Sequence, residues 1–205
     1  MSISSASNHR TITPSVLYFG TPVCVISSEN PDGSTNLAPI SSYWALGDHI
    51  VLGIDAGGRT VPNLLSRPEI VVGFPDETQW EPVQRLGQLT GEYPIPAGKP
   101  DDTWYEPDKF AAVGWHRMPA TTVRPERAAE LPVHLEARVE NTQISDDGLA
   151  IVHARCSAVH VIDELVIDGT HHIDTLRWRP LIYTFQHFFG LGERRGIPPW
   201  ALNQR

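Results

Sequence analysis

HIVLGIDAGGRTVPNLLSR, residues 49–67, is the stretch from which the fold is read outward. Ile50-Val51-Leu52-Gly53-Ile54 is a short apolar run rich in β-branched residues, the pattern of a buried strand. Gly57 and Gly58 interrupt it. Thr60 is then the expected N-cap of a helix, Pro62 fits its first turn, and Leu64 and Leu65 give it an apolar side. Strand, glycine turn, Arg59, Thr60, helix is an arrangement that can seat an anion. Helix entry offers unpaired N–H groups, glycines let an anion approach the backbone, and an arginine adds a fork of donors suited to phosphate oxygens. An ordinary strand-to-helix turn with a surface arginine has the same local sequence, and both readings stay open at this point.

Upstream, VLYFGTPVCVIS (residues 16–27) holds a strand over residues 23–26, and Asn30-Pro31-Asp32-Gly33 is a turn closing a hairpin. The returning stretch TNLAPISSYWALG (residues 35–47) is strand-like, but Pro39 interrupts its ladder and assigns it to a sheet edge or bulge. Asn36, Ser41 and Ser42 concentrate short hydrogen-bonding groups there. Downstream, EIVVGF (residues 69–74) is a buried strand, and TQWEPVQRL (residues 78–86) is a short helix with Thr78 as its cap. Residues 87–119, rich in Gly, Pro, Asp and Tyr at their start, form a long excursion of the kind used for lids, binding loops or dimer arms. The chain then turns plainly β. LPVHLEARVENTQI (residues 131–144) alternates apolar and polar, Ser145-Asp146-Asp147-Gly148 is a hairpin turn, and LAIVHARCSAVHVI (residues 149–162) returns as a long strand. A further short strand is expected over residues 166–169, and aromatics Phe185, Phe188 and Phe189 close the sequence before Gly190-Leu191-Gly192. Strands outnumber helices, and a closed or nearly closed antiparallel barrel follows.

Bulk properties narrow the function. The chain has 205 residues, enough for one sizeable domain, with a formal net charge of −8. No basic run tracks a nucleic-acid backbone, so nucleic-acid binding is not expected. The polar N-terminus lacks the apolar core of a signal peptide, and no apolar run approaches the roughly 18 residues of a membrane span. A cytoplasmic protein without a membrane role is expected. Cys24 and Cys156 lie in apolar strand-like runs and are expected as small packing residues, not a disulfide or metal pair. His171-His172, with His160 and Asp174 nearby, suggest a turn more than a metal site, because adjacent histidines on a strand face opposite ways. No metal site is expected. Trp104 and Trp115, in polar surroundings, are expected to be exposed. Ser41 and Ser42 lack a glycine elbow, which argues against a serine hydrolase.

The pair DGSTNLAPISSYW (residues 32–44) and GGRTVPNLL (residues 57–65), in this order with the long hairpin and RPLIY (residues 179–183), resembles the flavin reductase-like family of FMN-binding split barrels. That family shows an Asn-x-Ala-Pro-x-Ser pattern on one strand, then a basic residue, Thr and Asn at the following helix start. Here these are Asn36, Ala38, Pro39 and Ser41, then Arg59, Thr60 and Asn63. One departure is visible. An aspartate commonly precedes the helix threonine in the family, whereas Arg59 stands there, which shifts the charge contact by a residue.

The resemblance implies a mainly β fold, a six-stranded antiparallel split barrel of Greek-key type with a few flanking helices. It covers roughly residues 21–192, and the domain is expected over residues 14–192, with residues 87–119 as its long excursion, between an N-terminal arm (residues 1–13), expected to be flexible, and a C-terminal tail (residues 193–205). It implies a homodimer binding FMN, with FAD as the variant, through Asn36, Ala38, Pro39, Ser41, Ser42, Arg59, Thr60 and Asn63. The activity implied is that of an NAD(P)H-dependent flavin oxidoreductase passing electrons to free flavin, to a small-molecule redox substrate or to a partner monooxygenase. No catalytic side chain is required, since the flavin carries the redox chemistry. His116 and His187 are candidates for a nicotinamide or substrate contact, against ordinary packing or surface roles. The alternatives are an FMN-binding electron-transfer or sensing module without its own NAD(P)H site, and a barrel that has lost its cofactor.

Overall fold

The computed structural model describes residues 9–198. Its strands are β1 (Phe19–Pro22), β2 (Cys24–Glu29), β3 (Thr35–Ile40), β4 (Tyr43–Leu46), β5 (His49–Asp55), β6 (Glu69–Phe74), β7 (Leu89–Thr90), β8 (Trp104–Tyr105), β9 (Arg117–Met118), β10 (Arg127–Ala128), β11 (Val133–Ile144), β12 (Leu149–Val161), β13 (Ile182–Thr184) and β14 (His187–Phe189). Its helices are α1 (Thr60–Ser66), α2 (Trp80–Gly87) and α3 (Lys109–Val113). The main sheet is antiparallel, in the order β3-β2-β6-β11-β12-β5-β4. Cys24 and Ile26 of β2 share one buried cluster with Ile50, Leu52 and Ile54 of β5, although three strands separate β2 from β5 in the sheet. The sheet therefore curls on itself around a common core, as a split barrel does.

Seven strands stand in this sheet where six were expected. The additional one is β4, which pairs Tyr43 with Leu52 and Leu46 with His49 across the tight turn at Gly47. Pro39 does sit on the edge strand, opposite Val25, where its missing N–H costs no ladder bond. The Asn30–Gly33 turn closes the β2–β3 hairpin, with Gly33 at φ +86.

A second apolar layer covers the outside. Val23 and Val25, alternating with Cys24 and Ile26, face Leu37, Val83 and Leu86 of α2, Phe110 of α3, and Leu181. Burying Val83 and Leu86 stabilises α2 by roughly 1.5–3 kcal/mol each. The helix is entered through a 3-10 turn (Glu77–Gln79) that Asp76 caps, and Gln79, not Thr78, is the N-cap residue of α2 itself, with no side-chain cap. The Asp76 carboxylate accepts from the Thr78 N–H at 2.8 Å, so the hydroxyl of Thr78 is turned back onto it.

Two further expectations are corrected. Residues 166–169 form no strand. A single bridge joins Val166 to Ile173, and His171 and His172 lie in the turn between them. Trp115 is only 5% exposed, because Gly114, in the left-handed conformation that ends α3, folds it against the outer layer. Its indole N–H donates to Gln79 Oε1 at 2.9 Å. Cys24 is buried, and both cysteines are free. No described helix is long and apolar enough to cross a membrane. Most of the N-terminal arm and the end of the tail lie outside the described residues.

Candidate functional site

The turn after β5 is held by its own residues. Asp55 accepts the Gly57 N–H at 2.9 Å, and a Cβ at Gly57 would stand 3.2 Å from that carboxylate oxygen. Lys99, far along the excursion, returns to donate to Asp55 at 2.9 Å. The Gly57 N–H first, then Lys99, hold the Asp55 carboxyl below its ordinary range. A Cβ at Gly58 would lie 4.0 Å from Lys99 Nζ, so two cations, Arg59 and Lys99, flank this turn.

Helix α1 begins one residue earlier than its sequence suggests. Arg59 is the N-cap residue and already has helical backbone angles, and no side chain caps the helix. Thr60 is the first helical residue. With the entry already coiled, its hydroxyl cannot reach back to the first-turn N–H groups. It accepts instead from Asn36 Nδ2 at 3.3 Å, tying α1 to β3. Asn63 is buried and donates to Ser28 at 3.1 Å and Asn30 at 2.9 Å, so it fastens α1 to the β2–β3 hairpin. Among the described residues, the carbonyl oxygens of Asn36 and Asn63 are buried without a partner.

The excursion folds back over this turn of its own chain. The carboxylate of Glu92 meets Arg59 at 3.1 Å and 3.0 Å, and the Gly91 carbonyl accepts from the same guanidinium at 3.4 Å. Gly91 packs so closely that a Cβ would come within 2.7 Å of Asn36 Oδ1, a contact only glycine permits. The fork of Arg59 is thus engaged by an acid of its own chain. Lys109, first residue of α3, is 4% exposed and donates to the Leu37 carbonyl at 2.7 Å. Burial, with Lys99 adding like charge, pushes its pKa down to about 8. That bond reaches the free edge of β3, because β2 occupies the other side.

The remaining expected residues lie at the far end of β3. Pro39 and Ser41 line a cavity of about 850 Å³ with Tyr18, Trp80, His187 and Phe188. Ser42 is not among the lining residues but touches one of them, with its hydroxyl 3.0 Å from the Tyr18 hydroxyl, and its carbonyl accepts from the Gly53 N–H. Ala38 is half-buried between the two ends. The predicted residues therefore divide into a charged end (Asn36, Arg59, Thr60, with Asn63 behind) and an aromatic end (Pro39, Ser41). His187 belongs to the aromatic end, and its Nδ1 lies 2.8 Å from the Phe185 carbonyl. His116 does not belong to either end, being exposed and paired with Glu130 at 2.6 Å. Sequence reading missed Gly91, Glu92, Lys99 and Lys109. None carries a periodic signal, and only the folded excursion brings them to the turn.

Against known proteins, residues 16–192 match the Flavin reductase like domain. The chain belongs to the flavin reductase-like family. It is 35% identical over 190 residues to the uncharacterized protein YdfE of Bacillus subtilis, covering 91% of both chains. Its fold is similar to that of flavoredoxin of Desulfovibrio vulgaris (TM-score 0.75, 16% identity, 99% and 100% of the two chains). It is similar also to nitrilotriacetate monooxygenase component B from Bacillus cereus (TM-score 0.70, 18% identity, 96% and 98%). Membership implies a flavin as cofactor or substrate.

Proposed function

We propose that this chain binds FMN, with FAD as the variant, and works as an oxidoreductase that draws a hydride from NADH or NADPH. The observation that carries the reading is the convergence of Arg59, Lys99, Asn36 and Thr60 on one glycine turn, in a chain of a flavin family. These residues fit the group. Two cations and uncapped first-turn N–H groups suit a phosphate, and the unpartnered Asn36 carbonyl suits a ribityl hydroxyl. From Asn36 to Ser41 is five strand steps, roughly 17 Å, comparable to an extended flavin mononucleotide. Pro39, Ser41, Tyr18, Trp80 and Phe188 would then face the ring.

When bound, the flavin would supply the hydride and electron chemistry. The chain's own part is to position and to exclude water. Glu92 holds Arg59 in place until a stronger anion displaces it. Lys109, wedged against β3 between the two ends, keeps a buried positive charge beside the strand. The apolar walls lower the local dielectric and strengthen every polar contact inside.

A second reading is favoured by one observation. No lysine or arginine lines the 850 Å³ cavity among the described residues, although a nicotinamide dinucleotide brings a pyrophosphate. An FMN-binding electron-transfer module without its own NAD(P)H site, as the name of the flavoredoxin suggests for that protein, fits this lining. The similarity to a monooxygenase component keeps a partner monooxygenase among the acceptors we consider. Mixing purified protein, FMN and either nucleotide separates the readings. Loss of absorbance in the nicotinamide band supports the reductase; a flavin-loaded protein that oxidises neither nucleotide supports the module. We include a homodimer in this reading, supported by the exposure of Trp44, Leu46 and Ile151 on one sheet. A solution mass near twice 22.7 kDa is expected, and a monomer would remove it.

A further inference from the structure

We propose that His49, His153 and Glu140 form a binding site for a divalent transition metal, with Zn2+ the fitting ion, on the outer face of the main sheet. The three come from β5, β12 and β11, which are neighbours in that sheet, and one ligand atom from each lies within 4.8 Å of the others. None belongs to the glycine turn or to the aromatic cavity, so the site is independent of the flavin reading.

Two features suggest that the cluster is built and not accidental. First, β11 carries a bulge between Val139 and Asn141: Val139 pairs with Ala154 and Asn141 with His153, leaving Glu140 as the extra residue. A bulge of this kind re-aims a side chain. Val139 packs on the core while Glu140 turns to the histidine pair. Second, His49 Nδ1 faces His153 Nε2 at 2.9 Å, and the other nitrogen of His49 faces the Asp48 carboxylate at 3.6 Å. An outer carboxylate behind a ligating imidazole is the arrangement that orients metal-bound histidines.

The distances are close to those of a bound ion. Two nitrogens each about 2.0–2.1 Å from a tetrahedral zinc stand roughly 3.3 Å apart. The imidazoles at 2.9 Å are hydrogen-bond partners, and with each neutral ring carrying its proton on the outer nitrogen, parting by a few tenths of an ångström would turn two lone pairs to one zinc. Arg155 is the opposing charge. It takes Glu140 Oε1 at 2.7 Å and Asp48 at 2.9 Å, leaving Glu140 Oε2 as the ligand oxygen. Two carboxylates against one guanidinium leave the cluster net negative when both imidazoles are neutral, which favours a cation. Two imidazoles and one carboxylate suit zinc and its neighbours, with the fourth position open to water.

The test is titration of metal-stripped full-length protein with Zn2+, and in parallel with Co2+, whose visible bands report ligation by nitrogen and oxygen. One zinc per chain is expected. His49→Ala and His153→Ala should each weaken zinc binding at least about tenfold, and Glu140→Gln should alter the cobalt bands. A variant changed at His171 and His172, the exposed pair in the 166–173 turn, should bind as the wild type does. The proposal is overturned if the wild type takes up no zinc, if His49→Ala or His153→Ala binds it with wild-type affinity, or if loss follows the His171/His172 changes instead.

Discussion

At the scale of single residues, the account turns on Arg59 and the carboxylate that holds it. A charge-assisted contact to a phosphate is worth roughly 1.5–3 kcal/mol, so Arg59→Ala should weaken FMN binding by about that much. Glu92→Gln should do the reverse, because it removes the competing acid that now grips the guanidinium with two contacts. Fluorescence titration of FMN against both variants measures the pair; equal affinities for wild type and Arg59→Ala would move the phosphate elsewhere. The strand, glycine turn and helix start that meet here were legible in the sequence. Gly57, Gly58 and Arg59 stand next to one another, and an anion-binding turn needs only local residues. What was hidden came from far along the chain. Lys99 and Glu92 look like ordinary loop residues until the excursion folds back, and the placement of Thr60 at N1 instead of N-cap follows from backbone angles that no residue type dictates.

At the scale of elements, the long β11–β12 hairpin was the clearest feature of the sequence, because alternation from Val133 to Val139, a turn signal at 145–148 and a second long apolar-rich run admit little else. Its open end also sets the acid response. His134, on β11, is 3% exposed and donates from Nε2 to the Ala128 carbonyl at 2.9 Å. Burial pushes its pKa down to about 4 from an ordinary 6.5. Between those values the unfolded chain takes up a proton that the folded chain refuses, so stability falls as pH drops from 6.5 to 4, by about 3 kcal/mol. Glu136 two residues on is buried as well. Burial works to raise its pKa, but hydrogen bonds from Thr122, Thr121 and His160 override it and hold the group at about 2. Its contribution is lost in turn as pH falls from 4.5 towards 2. Urea denaturation across this range should show a decline beginning near pH 6.5, and His134→Gln should abolish the part above pH 4.5. A flat profile down to that pH would contradict the burial of a neutral imidazole. The short elements were less legible. The strands β7 to β10 have two residues each, too few for any periodicity, and β4 hides behind Ser41-Ser42 because its pairing is fixed by the turn at Gly47 and not by its own pattern.

At the scale of the whole molecule, one edge strand relates the charged turn to the aromatic cavity. β3 is free on one side, Pro39 keeps it so, and the excursion covers its start while leaving its end open to the cavity. The barrel was readable from the count and order of strands. The two-ended site was not, since the grouping of Pro39 and Ser41 with Trp80 and Phe188 depends on how α2 and the last hairpin pack over that edge. The measurement that tests this account most directly is a crystal structure of the protein soaked with FMN. The account predicts phosphate density at Gly57 to Thr60, within reach of Arg59 and Lys99, with the ring lying towards Pro39 and Ser41. Density for the phosphate at any other place, with Arg59 still gripped by Glu92, would contradict it.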